Sequence, residues 1–261
     1  MRTTLLALPL VMLLAGSAAA APPPPVDVAL VLAADVSGSM TGALSAQRLG
    51  FVAAFRDPDI AQSIAAGPIG RIAVTYVEWA GVHEQWTVVP WTIVDAGDAA
   101  SFANLLAAAP AQRGYQTSIS AGLMFAARMF QLSGVAAERR AIDVSGDGPN
   151  NAGPPITSVR DALVAGGITI NGLPLPQAPS GNPFAYLITP DGIDLDAYYS
   201  DCVIGGAGAF VMRVDGPAQY SAAIRRKLAM EIAGQPAHVF LASFTPRTTP
   251  APECATVRAG Q

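Results

Sequence analysis

The stretch that most limits the fold is the apolar run from Val26 to Ala34, which leads into Asp35-Val36-Ser37-Gly38-Ser39. Most of the run is apolar at odd and even positions alike. A strand of that kind is covered on both faces, as a central strand of a parallel sheet is between two layers of helices. The chain then turns and presents one carboxylate and two hydroxyls at the strand's C-terminal end, where open α/β sheets bind their ligands.

The rest of the chain supplies the other layers. Apolar groups three or four apart (Leu44, Phe51, Val52, Phe55) predict a helix after Met40, and 60–66 a second, short one. Residues 71–79 and 85–91 alternate and are joined by a short link through Gly81, so they read as an antiparallel hairpin at one sheet edge. Helices are expected over 95–109, with Phe102, Leu105 and Leu106 inward, and over 118–131. Strand 141–145, helix 156–165 closed by Gly166-Gly167, strand 168–173, a short helix 195–201, strand 209–214 and helix 220–233 follow. Pro174 to Asp194 is Pro-rich and irregular. The alternation predicts an α/β fold: a doubly wound, mainly parallel, Rossmann-like sheet with one antiparallel edge strand and helices on both faces.

The flanks have their own signals. Arg2, an apolar run from Leu5 to Ala15 and small residues up to Ala21 match a secretory signal peptide over 1–21. A Pro-rich spacer, 22–25, follows it, the domain runs over 26–241, and 242–261 is a polar, Pro-rich tail. The run is short for a transmembrane span, and later apolar runs are broken by Gly, Pro or charge, so export to periplasm or medium without a membrane span is expected. There Cys202 and Cys254 would pair and tie the tail to the domain; two cysteines are too few for a zinc site. The net charge of −4 argues against nucleic acid as the partner, and Arg225-Arg226-Lys227 reads as a solvated helix face.

Two further polar points join Asp35, Ser37 and Ser39. Thr117 precedes the helix 118–131, and Asp147 follows strand 141–145 within Ser145-Gly146-Asp147-Gly148. In a doubly wound sheet these loops converge on one rim. The set is three hydroxyls and two carboxylates, all oxygen, which suits Mg²⁺, with Mn²⁺ or Ca²⁺ as alternatives.

The five points in this order and strand context resemble the metal-ion-dependent adhesion site (MIDAS) of von Willebrand factor A-type (VWA) domains, shared with integrin I domains. The surrounding wording is similar to a bacterial family of secreted VWA-like proteins of unknown function. The resemblance implies that Ser37, Ser39 and Thr117 ligate a cation directly while Asp35 and Asp147 act through water. A position left open would accept an Asp or Glu carboxylate from a protein or peptide. The chain departs from the familiar Thr-Asp-Gly by carrying Gly146 before Asp147; Asp143 is the alternative carboxylate.

Other readings use the same residues. Asp35, Ser37 and Ser39 could be a helix-capping turn, and Thr117 or Ser118 the cap of the following helix. A metal-dependent hydrolase or phosphatase could use the same rim, but only His83 and His238 offer an imidazole base and no Gly-x-Ser-x-Gly is present, so an enzyme is not expected. A structural envelope protein without bound metal is the third reading. Trp79, Trp86 and Trp91 on the hairpin read as core, with a partner-binding edge as the alternative.

Overall fold

The computed structural model describes residues 21–175, 192–214, 216–234 and Cys254. Residues 1–20 of the expected leader, His238, most of the 174–194 loop and the tail apart from Cys254 lie outside them. β1 (Pro25–Asp35) is buried from its second residue to its last. It pairs in parallel with β2 (Arg71–Trp79) on one side and β4 (Ala136–Gly146) on the other. β3 (Gln85–Asp95) runs antiparallel at the β2 edge and β5 (Thr169–Pro174) is parallel to β4, giving the order β3-β2-β1-β4-β5.

Alternation along β1 feeds two cores. Val28, Leu30, Leu32 and Ala34 face a layer built by α1 (Leu44–Arg56), α2 (Pro58–Ala65), α3 (Ala99–Ala108) and α7 (Tyr220–Ala233). Val31 and Ala33 face α4 (Ile119–Met129), α5 (Ile156–Ala165) and the short α6 (Leu195–Tyr198). This is the doubly wound sheet with one antiparallel edge. The register matches Asp35 with Trp79, Ala34 with Ser145 and Gly146 with Pro174, so the C-terminal ends of β1, β2, β4 and β5 form one level rim.

Four expectations change. Residues 209–214 do not form a strand. They meet β5 through a single bridge, Gly172 to Val211, because the Asn171 side chain accepts the Phe210 N–H at 3.2 Å in place of a ladder carbonyl. Helix 195–201 ends early: Tyr199–Val203 widens into a π turn, closed by the Ile204 N–H on the Tyr199 carbonyl at 3.0 Å. Leu105 is half exposed, and α3 turns Phe102, Ala103 and Leu106 inward instead. Lys227 is fully buried, while Arg225 and Arg226 are exposed. It lies 2.7 Å from Asp143 Oδ1 on β4 and pairs with Glu231 one turn along α7.

Trp79 is wholly buried and the Trp91 indole donates to the Met129 carbonyl at 2.7 Å, so these two serve packing. Cys202 and Cys254 form the expected disulfide. Among the described residues no helix is long and apolar enough to cross a membrane.

Candidate metal centre

Asp35 closes β1 and is fully buried. Its Oδ1 accepts the Ser37 backbone N–H at 2.7 Å, an Asx-type turn that folds the chain so that Ser37 and Ser39 lie side by side. Their hydroxyl oxygens are 3.2 Å apart, and the Ser39 hydroxyl donates to Asp147 Oδ1 at 2.8 Å. Neither serine side chain caps a helix. Ser37 stands at the N-cap of the 3₁₀ turn Gly38–Gly42 without a side-chain cap bond, and α1 starts from Ala43. The capping reading of this turn therefore falls.

Thr117 arrives by a different route. Gly114 donates its N–H to the Val36 carbonyl at 2.9 Å, pinning the loop to the end of β1, and any side chain at 114 would collide with Ala80 Cβ. Tyr115 and Gln112 donate backbone N–H groups to Glu84 and Glu78 at 3.1 and 2.8 Å. Thr117 is clasped to the β4–α5 loop: its N–H donates to Asn151 Oδ1 at 2.9 Å and its carbonyl accepts the Asn151 N–H at 2.8 Å. The capping of α4 falls to Ser118, whose hydroxyl accepts the Ala121 N–H. The Thr117 side chain is thereby left to the rim, where its Oγ1 faces Gly148.

All five expected residues thus come to one rim. Ser37, Thr117 and Asp147 are buried; Gly38 and Ser39 open the site to solvent. Asp143 sits one β-repeat below Ser145, engaged with Lys227, and takes no part. Residues absent from the expectation also gather here. Gln47 on α1 donates to the Ser145 hydroxyl at 3.1 Å, and the Tyr199 hydroxyl borders the space beside Gly146. The one trace of Tyr199 in the sequence is the missing side chain at 146.

Burial raises the Asp35 carboxyl well above its ordinary range, and the neighbouring Asp147 charge raises it further; among the described residues no cationic side chain is among the influences on it. Its Oδ2 is buried without a hydrogen-bond partner among the described residues. No cluster of three or more His, Cys, Asp or Glu occurs among the described residues. A cation here would instead meet mostly hydroxyls, and the orphaned Asp35 oxygen and the all-oxygen donor set fit a hard divalent ion.

Residues 25–236 match the family described as a protein of unknown function, DUF1194. The chain belongs to the DUF1194 family. No curated protein matches it in sequence. Among solved structures, the DUF1194 chain is similar to proximal thread matrix protein 1 of the mussel byssus (TM-score 0.56, 15% identity), over 82% of this chain and 49% of that one. It therefore spans about half the length of the mussel protein, another structure of which has a zinc-occupied MIDAS motif. It is also similar to a von Willebrand factor type A protein from Catenulispora acidiphila (TM-score 0.51, 14% identity, 79% of this chain and 43% of that one). BatB from Bacteroides thetaiotaomicron gives 0.51 at 19% identity, over 80% of this chain and all of that one. The fold of this DUF1194 chain is the VWA fold.

Proposed function

We propose that this DUF1194 protein is an exported binding module that takes a protein or peptide carboxylate onto a divalent cation held at the rim, and that it is not an enzyme. One observation carries the reading. Two carboxylates, Asp35 and Asp147, converge with three hydroxyls at the mouth of a buried strand end, and among the described residues no cationic side chain is among the influences on Asp35. An external cation supplies the missing charge. Ser37, Ser39 and Thr117 would hold it, and Asp35 and Asp147 would orient the hydroxyls and bound waters. Because the direct ligands are neutral, the ion stays electron-poor and favours a partner's Asp or Glu in its open position. Mg²⁺ is the expected ion, with Mn²⁺ or Ca²⁺ as alternatives; the zinc in the mussel protein's MIDAS supports a divalent ion without selecting one. The disulfide and the leader-like N-terminal run support export.

The test is thermal unfolding of the metal-stripped protein with Mg²⁺, Mn²⁺ or Ca²⁺, beside Ser39→Ala. At about a hundred times its dissociation constant an ion stabilises by roughly 2.7 kcal/mol, which moves the midpoint by several degrees. The wild type should shift and the variant should not. Peptides bearing a central Asp or Glu should then be retained on the immobilised protein only with metal, and their Asn or Gln versions not at all. No midpoint shift in the wild type with any of the three ions overturns the reading.

A further inference from the structure

Two buried polar atoms near the rim have no hydrogen-bond partner among the described residues, and they are neighbours: Asp35 Oδ2 and the Tyr199 hydroxyl. Both side chains are fully buried. A buried polar group left unpaired costs about 1–3 kcal/mol, so two in one place require a reason.

The surroundings supply one. Asp35 Oδ2 lies 2.8 Å, and the Tyr199 oxygen 2.9 Å, from the single point that a Cβ at Gly146 would occupy. The glycine keeps that point clear, so both oxygens border the same spot at the end of β4. A second glycine clears the approach: a Cβ at Gly172 on β5 would stand 2.7 Å from Tyr199 Cδ1. Tyr199 therefore lies over β5 at Gly172, reaches β4 at Gly146, and ends beside the last residue of β1. The backbone that carries it is held on both sides. Tyr198 accepts the Asn150 N–H at 3.1 Å, and Cys202, in the same π turn as Tyr199, is bonded to Cys254.

The geometry points to Tyr199 as a positioning residue of the metal centre: its hydroxyl, unpaired among the described residues in the metal-free protein, donates to Asp35 Oδ2 when the cation is bound and holds that carboxylate in the orientation in which it serves the ion. This rests on the metal reading above. Oδ1 is already held by the Ser37 N–H. A donor on Oδ2 fixes the second oxygen and leaves the carboxylate one orientation. Tyrosine suits the place because its hydroxyl sits at the end of a rigid ring with only two side-chain torsions, and the apolar body is buried in the core around Tyr198, Val203 and Ile170.

Tyr199→Phe removes the oxygen and keeps the ring. Its Mn²⁺ affinity, measured by calorimetric titration of the metal-stripped protein, should fall about tenfold or more, the size of effect seen when a group supporting a metal ligand is removed. Its metal-free melting point should stay level or rise, since an unpaired buried hydroxyl has gone. Tyr198→Phe is the control on the same segment: it should lower the melting point and leave the affinity unchanged. An affinity for Tyr199→Phe within about twofold of wild type, with wild type binding Mn²⁺, overturns this inference and leaves the metal reading standing. Equal affinity losses in both variants overturn it as well, since the effect would then belong to the segment's packing. A wild type that takes up no Mn²⁺ removes the metal reading and this inference together.

Discussion

Two acidic residues four apart, Asp143 within β4 and Asp147 just past its end, are treated in opposite ways by the protein. Asp143 is buried against α7 with its own cation: Lys227 Nζ is 2.7 Å from its Oδ1 and also bonds Glu231, which accepts from Asn171 Nδ2 at 3.0 Å. Asp147, at the rim, faces Asp35, and the charge it adds raises the Asp35 carboxyl further. One carboxylate has an ammonium group against it; the other has a second carboxylate close by. The contrast separates a charge balanced within the fold from one that, on the proposed reading, serves a cation. Removing a carboxylate should therefore cost stability in the first place and relieve strain in the second.

The largest effect expected is at Lys227. Lys227→Met leaves Asp143 and Glu231 buried without a cation, and should cost about 3–5 kcal/mol in urea unfolding. A loss below 1 kcal/mol on the order of a surface pair would show that the cluster is neutral and break the contrast. The two carboxylates then give opposite signs in the metal-free protein. Asp143→Asn should destabilise by a few kcal/mol, because Lys227 loses its charge partner. Asp147→Asn should stabilise by about 1 kcal/mol, because the Asp35 charge loses a repulsive neighbour while Asn can still accept from Ser39. With saturating Mn²⁺ the Asp147→Asn advantage should reverse. Two variants of the same sign without metal would overturn the contrast.

Glu231 sharpens it further. Burial, and then the Asp143 charge, push its carboxyl up to about 8, against the pull of Lys227 and its hydrogen bonds. Its folded value lies above the ordinary 4.5, so the stability it contributes is complete below pH 4.5 and is lost as pH rises through 8. Glu231→Gln cannot ionise. Its urea midpoint should track wild type at the acid end and exceed it increasingly as pH climbs toward 8. Parallel curves would mean that the Glu231 carboxyl ionises alike in the folded and unfolded protein.

How legible these two regions were differs for a physical reason. The rim was readable because its residues are local signals: Asp35-x-Ser37-x-Ser39 closes a strand covered on both faces, and Asp147 follows another. The sheet itself could be read from period and length. The internal cluster was not readable. Lys227 sits in Arg225-Arg226-Lys227, whose first two members are exposed, and only the register of α7 against β4 decides that the third is buried. Tyr199 was hidden similarly. A Tyr-Tyr pair in a short helix reads as core, and its hydroxyl acquires meaning only when β4 places a glycine beside Asp35. The strand expected at 209–214 failed because Phe210 and Met212 alternate as a strand does, yet a side chain, Asn171, supplies the partner that a ladder would have needed.

The smallest expected effect divides stability from binding within two adjacent residues. Ser118 caps α4, accepting the Ala121 N–H, and donates to the Ala152 carbonyl at 2.9 Å; Thr117 has its backbone committed to Asn151 and its hydroxyl on the rim. Ser118→Ala removes a helix cap and should cost about 1 kcal/mol in thermal unfolding, with the Mn²⁺ affinity unchanged. Thr117→Val keeps shape and backbone bonds and loses only the hydroxyl, so it should leave the metal-free melting point near that of wild type while weakening Mn²⁺ binding. If the effects are exchanged, Ser118 is the ligand and Thr117 the cap. If both variants lose stability and neither loses affinity, the loop before α4 contributes packing alone, and the cation would have to be held by the Asp35–Ser39 turn and Asp147 without it.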